Sequence, residues 1–353
     1  MLVYGVLVAL TILVYFVMNL VTKNSVKKNK ITIVFFFLGY LLLLCLRSES
    51  VGVDTQGYVN TYNMISRTDW QTLLVYSRQE IGFLAFEKTL SFFGDARLLM
   101  ILVALLTVLP VMYLYKRESN DAILCCSFFL ISLLFEMFFS GMRQSIAIAL
   151  TVPAYYYVRR GKIISYVLTV LVAFSFHTSA IVLLLLYPIY HLKITKKMLW
   201  VIIPLLILVY FKSDTIFQYI LWMAGDDYES RYAYLIGSSG QVGLTVLFVL
   251  LTVYTYIIMD DKKADNNDLG LRNILLLAMC IHLFAPLHPT ISRVNYYFIL
   301  FIPLAVARAN FLYRKPLVQL KILAEFIMPI YFIFHFFFLK ADSLRVFDYK
   351  FFF

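Results

Sequence analysis

Apolar residues fill the chain in long blocks that charged and polar residues interrupt only briefly. A helix needs about 20 apolar residues to cross roughly 30 Å of hydrocarbon, and on that measure the pattern predicts about twelve transmembrane helices. They are expected near residues 2–21, 31–47, 97–115, 122–140, 143–158, 163–176, 178–192, 198–212, 244–259, 271–286, 291–309 and 322–340. Two longer polar stretches, 48–96 and 213–243, break the series and read as inserts in one transmembrane domain covering residues 1–353. In the first insert Glu80 opens an amphipathic helix whose apolar positions (Ile81, Phe83, Leu84, Phe86 and Leu90) suit the membrane surface. The fold class expected is an all-α polytopic membrane protein.

Composition explains why lipid must be the solvent. The 353 residues are 62% hydrophobic and 14% charged, with a mean hydropathy of +0.83. That is more apolar surface than a soluble core of this size could hide. Residues 1–20 lack a basic start and a small-residue cleavage site, so they are expected to be the first span rather than a removed leader. The net charge of +11 sits in short connections between spans, which turns attention from nucleic acid to membrane orientation. If alternate connections face the cytoplasm, the basic stretch VTKNSVKKNK lies inside, as do the connections beginning at Lys116, Arg159, Lys193, Asp260 and Asn310. Basic residues then outnumber acidic ones inside and balance them outside, as the positive-inside rule requires. Both termini and both inserts fall on the extracytoplasmic side. Cys45, Cys125, Cys126 and Cys280 lie in or beside apolar runs without metal-ligand spacing and read as small buried hydrophobes.

Several polar groups resist this bland reading. Arg143, followed by Gln144, stands at the outer entrance of a span, where a charge near hydrocarbon costs energy unless it has a use. His177 follows a run of 14 residues (163–176), which rises only about 21 Å and so places the histidine at a corner sunk below the membrane surface. Arg293 follows Pro286 and Pro289 at another outer entrance. Two arginines offered to one face suit phosphate or diphosphate better than a neutral ligand. In the first insert, Asp54 sits in a turn bounded by Gly52 and Gly57, and Glu80 opens its helix; both are candidate bases, with His177 as a base or a phosphate contact. Glu136 and Glu325 are nominally intramembrane, Glu325 lying four residues after Lys321. In the second insert, Asp226, Asp227, Tyr228, Arg231, Tyr232 and Tyr234 are candidate sugar contacts.

The same residues carry a family resemblance. Arg47, Gly52, Asp54, Thr55 and Tyr58; then Glu80, Gly82 and Phe83; then Arg143, Gln144, Ile146 and Ala147; then Phe176, His177, Ser179 and Ala180; and finally Arg293, Tyr296, Tyr297 and Phe298 occur in the order of motifs in EpsG-like, Wzy-type polysaccharide polymerases, which this chain resembles over about residues 40–310. Met142 departs from the family's usual small polar residue before the arginine. The resemblance implies a GT-C-type membrane glycosyltransferase in the bacterial cytoplasmic membrane. Its active site would face outward and join polyprenyl-diphosphate-linked oligosaccharide repeat units with release of the polyprenyl diphosphate. Asp54, Glu80 and His177 would be catalytic; Arg47, Arg143, Gln144, His177, Arg293 and Tyr297 would bind diphosphate or sugar. Arginines would stand in for a metal, so neither metal nor cofactor is expected, and a flippase and a chain-length regulator are implied as partners beside membrane lipid. The alternatives are an O-antigen ligase-like transferase, which differs in acceptor, and a lipid-linked oligosaccharide flippase or transporter, which would spread polar groups through the membrane's depth.

The orientation is testable in intact cells. Single cysteines replacing Lys27 and Lys196 should be shielded from an impermeant thiol reagent while one near Asp227 reacts; labelling at position 27 from outside would reverse the topology.

Overall fold

A computed structural model describes residues 1–212, 215, 242–286 and 289–353. Most of the second polar insert, including Asp226 to Tyr234, therefore lies outside the described residues, as does His288. The described residues contain helices and no β-strand. The chain divides into two compact units, Met1–Leu184 with Ile322–Phe353, and Leu185–Lys321.

In the first unit α1 (Leu2–Val21) and α2 (Ser25–Leu46) form an antiparallel start. The three short helices of the first insert follow: α3 (Thr55–Arg67), α4 (Trp70–Tyr76) and α5 (Ile81–Leu90). After them come α6 (Ala96–Glu118), α7 (Ala122–Ile131), α8 (Leu133–Ser140), α9 (Met142–Ala149), α10 (Thr151–Arg159) and α11 (Ile163–Phe176), then a 3-10 turn at Thr178–Leu185. The second unit contains α12 (Leu186–His191), α13 (Lys196–Phe211), α14 (Val242–Ile258), α15 (Asn266–His282), α16 (Pro289–Ile299) and α17 (Ile302–Phe311). Helix α18 (Val318–Phe334) leads into the C-terminal part of the first unit.

Local sequence sets the helix ends. Asn24 accepts a bond from the Lys27 amide, so α2 begins inside the basic stretch, six residues before the expected span start at 31. Asp265 and Asp268 form a reciprocal capping box that starts α15. Among the described residues, four helices are long and apolar enough to cross a membrane: α1, α2, α6 and Lys315–Leu339. The number rises to six if each bent pair is one span, α7 with α8 (60°) and α16 with α17 (41°). Of the other expected spans, 163–176, 198–212, 244–259 and 271–286 correspond to the single helices α11, α13, α14 and α15, of 14 to 17 residues. Residues 143–158 fall into α9 and α10, which meet at Leu150, and residues 178–192 combine the 3-10 turn with α12.

Along α1 one stripe remains exposed, with Leu2, Val6, Leu10, Leu13, Phe16, Val17 and Leu20 facing outward. Such a stripe is at home only in lipid. The other side joins an aromatic core. Tyr4, Phe36, Phe37, Tyr40, Phe129, Phe135 and Phe139 are all buried, and their rings meet mainly edge to face, as between Tyr4 and Phe135 at 5.3 Å. The Tyr40 hydroxyl donates to the Phe135 carbonyl at 2.6 Å.

The break between α7 and α8 at Ser132 frees carbonyls in apolar surroundings, where each must find a donor. Lys340 supplies it, with Nζ donating to Leu130 O at 2.8 Å and Ser132 O at 3.1 Å. Its charge is met by Glu136 at 3.0 Å, and both side chains are almost wholly buried. Glu136 thus has a structural explanation. Beyond Lys340 the chain runs as turns and irregular backbone against the first insert. Ser48, Gly52 and Val53 amides donate to carbonyls of Lys350, Arg345 and Leu344, and the Tyr4 hydroxyl donates to Val346 O.

Removing one partner of a buried ion pair costs about 3 to 5 kcal/mol, so Lys340→Met should lower the thermal midpoint of the detergent-purified protein sharply. Adding Glu136→Gln should restore only part of it, since the Leu130 and Ser132 carbonyls stay unmet. Equal midpoints for Lys340→Met and wild type would remove Lys340 from this role.

Candidate functional site

The turn between α8 and α9 is the meeting point of the first unit's polar groups. Gly141 leaves α8 in a non-helical conformation, and α9 restarts at Met142, which puts Arg143 in its first turn. Arg143 Nη1 donates to Glu80 Oε2 at 2.5 Å, and its Nε reaches the Tyr58 hydroxyl at 3.4 Å. The other carboxylate oxygen of Glu80 lies 3.0 Å from His177 Nδ1 and accepts from the Thr178 amide at 3.2 Å. Glu80 therefore bridges an arginine on α9 and a histidine at the end of α11. Arg143 and His177 keep 29% and 24% of their side chains exposed, so both side chains are open in part to a ligand.

Packing brings these elements together. Phe83 and Leu90 of α5 are buried with Val59, Tyr62, Leu99, Met100, Val103, Met142 and Ile146. The apolar face of α5 is covered by α3, α6 and α9 rather than laid on the membrane surface, although Ile81 remains exposed. The sequence pattern suits a membrane surface; in the structure the partner of this face is protein. At Gly82 an added Cβ would lie 2.7 Å from the Ser175 carbonyl oxygen, so only glycine lets α5 approach α11 closely enough for Glu80 to reach His177.

Asp54 is tied to the same turn. Ser140 Oγ donates to Asp54 Oδ2 at 2.8 Å, and the Asp54 amide donates back to Ser140 Oγ at 3.1 Å. The side chain is otherwise exposed at the head of α3. Gly52, with φ +93°, packs so closely on the Phe139 carbonyl that a Cβ would collide with it. The same carbonyl accepts from Thr55 Oγ1 at 3.0 Å and from Arg47 Nη1. Arg47, expected at the substrate, is buried, and its Nη1 is directed at backbone carbonyls, Val51 O being the second. Gln144 is buried in α9. Arg293 and Tyr297 belong to α16 of the second unit, Arg293 exposed and Tyr297 buried. That unit also holds an apolar cavity of about 920 Å³, lined in part by Leu206, Tyr210, Val246, Val249, Leu276 and Met279.

Two carboxyls on α5 have opposite electrostatics. Burial raises Glu80, but the hydrogen bonds from His177 and the backbone and the charge of Arg143 outweigh it and hold the carboxyl at about 2. Glu80 is thus an anion that orients its partners and a weak proton acceptor. Glu87, two turns along α5, is fully buried and pushed up to about 8 by burial, against the pull of the Gln79 amide and the Arg143 charge. It is neutral at pH 7. Glu87 was not singled out from the sequence; its spacing of seven from Glu80, on the same helical face, is the signal that could have found it. From the sequence, Tyr58 enters only as part of a motif. No cluster of three or more metal-ligating side chains occurs among the described residues.

The apolar helices define a multi-pass membrane protein, helical throughout its described residues, with a charged cluster at a helix restart. A family model described as the EpsG family matches residues 30–351. The chain belongs to the EpsG family. Comparisons with curated proteins and with solved structures give no match.

The raised carboxyl of Glu87 costs stability wherever the unfolded chain would already be ionised, that is, increasingly as pH rises from 4.5 towards about 8. Glu87→Gln should therefore raise the thermal midpoint at pH 8, and its advantage should shrink to nothing as pH falls to about 4.5. A pH-independent difference would mean that Glu87 is not neutral in the folded protein.

Proposed function

We propose that this protein is a polysaccharide polymerase that joins lipid-linked oligosaccharide repeat units at the outer face of the membrane, using polyprenyl diphosphate as the carrier. Membership of the EpsG family supports the polymerase-like role in polysaccharide biosynthesis. The observation that carries the chemistry is Glu80 bridging Arg143 and His177. A carboxylate on Nδ1 fixes the imidazole with its proton on that nitrogen and leaves Nε2 as a proton acceptor. A guanidinium held in place by the same carboxylate presents its remaining N–H groups to phosphate oxygens.

In this reading the acceptor sugar hydroxyl gives its proton to His177 Nε2 as its oxygen bonds to the anomeric carbon of the growing chain. The bond from that carbon to the diphosphate oxygen breaks, and the charge left on the polyprenyl diphosphate is stabilised by Arg143. Asp54, exposed beside the same turn, accepts a hydrogen bond from the incoming sugar. Glu80 positions Arg143 and His177 rather than taking the proton. For Arg293 and Tyr297 a diphosphate or sugar contact is proposed on the sequence pattern alone. About twelve crossings, a GT-C-like arrangement and the inner-membrane location belong to the same proposal.

Deleting the gene should collapse the surface-glycan ladder to a single repeat unit; loss of all glycan would point to an earlier step and overturn the polymerase reading. With purified lipid-linked repeat unit and reconstituted protein, His177→Ala should lower turnover by about a hundredfold or more while donor binding is largely kept. Arg143→Lys should weaken donor binding as well as turnover, because an ammonium cannot copy a planar fork. Wild-type rates for both variants, at normal membrane levels, would remove these roles.

A further inference from the structure

A second polar site lies at the other end of α6. The N-terminal end of that helix is beside the first insert, where Arg97 donates to the carbonyls of Arg47 at 2.6 Å and Cys45 at 2.5 Å. From Ala96 to Glu118 the helix has 23 residues, which rise about 34 Å, a full crossing of the hydrocarbon. Its C-terminal end is therefore on the membrane face opposite the Glu80 cluster. There a pocket of about 420 Å³ opens between α6 and α10, lined by Arg117, Glu118, Tyr156, Arg159 and Arg160.

The pocket has an ordered charge pattern. Glu118 accepts from Arg159 Nη1 on both carboxylate oxygens, at 2.9 and 3.0 Å, and so neutralises that arginine while fixing it in place. Arg117 lies farther from Glu118, at 3.8 Å, and is aligned instead by the Tyr113 hydroxyl at 2.6 Å and by the Tyr113 and Tyr156 rings, 5.8 and 5.5 Å from its guanidinium carbon. Arg160 is exposed, and no carboxylate pairs with it among the described residues. Three arginines against one carboxylate leave the pocket positive. Helix dipoles alone account for a basic residue near each helix end, but not for two tyrosines and a carboxylate that hold guanidinium groups around one cavity.

We propose that this pocket binds the phosphate of an anionic lipid headgroup. The cavity lies at the end of a membrane-length helix, at headgroup depth, and Tyr113 and Tyr156 are the amphipathic side chains expected at that level. Planar guanidinium groups match phosphate oxygens, and a headgroup is delivered to this height by its acyl chains while a soluble phosphate is not. The site is separate from the polymerisation chemistry and does not depend on it.

The test uses the full-length protein, with phosphatidylglycerol, phosphatidylcholine and inorganic phosphate as probes. Native mass spectrometry of protein extracted from mixed bilayers should find phosphatidylglycerol retained over phosphatidylcholine by roughly tenfold or more, less at high salt. Arg117→Ala with Arg160→Ala should abolish that preference, and Arg160→Gln alone, at an exposed and unpaired position, should reduce it if the double variant folds poorly. Lys162→Ala, a basic neighbour outside the pocket, should leave it unchanged. Equal retention of the two lipids, or an unchanged preference in the arginine variants, overturns the proposal. Complete displacement of phosphatidylglycerol by millimolar inorganic phosphate would assign the pocket to a soluble phosphate compound and overturn the lipid assignment too.

Discussion

The polar architecture of the first unit depends on one constraint: backbone that leaves a helix among apolar side chains must have its hydrogen bonds supplied by other parts of the protein. The end of α8 is where this matters most. The Phe139 carbonyl takes donors from Arg47 and Thr55, Ser140 takes the Asp54 loop, and the Gly141 carbonyl accepts from Ser145 Oγ at 2.8 Å. The groups that satisfy the turn are the same ones that position the acids. A break that would be a liability in a plain span becomes the anchor of the site, and Arg143 is the first charged side chain of the helix that restarts.

Such an anchor explains why Glu80 and Glu87 differ although they share a helix. Glu80 sits at the tip of α5, within reach of the Arg143 guanidinium, the His177 imidazole and an amide, and its charge is well satisfied. Glu87 lies two turns deeper, where the same arginine acts only at a distance and desolvation dominates. One helix thus presents an anion and a neutral acid to the same region, and the difference is made by depth rather than by residue type.

Much of this was legible in the sequence because membranes make polar residues conspicuous. Arg143 and His177 stood out as charges at the ends of apolar runs, and Asp54 and Glu80 as acids in an otherwise separable insert; the structure gathers these four around one turn. What could not be read depended on partners far along the chain. Glu136 was visibly out of place, but its cation is Lys340, beyond the last long helix. The apolar stripe of α5 fits a membrane surface and a protein core equally well, and only the packing of Phe83 and Leu90 against α3, α6 and α9 decides between them. The helix break at Ser132 has no proline or glycine beside it, so the apolar pattern runs through it and reads as an unbroken span, whereas the break at Leu150 is marked by Pro153, which cannot bond to the Ala149 carbonyl one turn earlier.

The non-helical segment after Lys340 gives the fold an unusual order of assembly. Tyr4 closes on Val346 across 342 positions, and the loop bearing Asp54 takes backbone partners from Leu344 and Arg345. During synthesis the helices carrying Glu80, Arg143 and His177 leave the ribosome long before those partners exist, and non-local contacts of this kind form last. The segment therefore acts as a closing stitch. A chain that had not yet reached residue 344 could have its earlier helices in place yet would carry an unfinished acid loop, which couples the readiness of the site to the arrival of that late segment rather than to insertion of the helices.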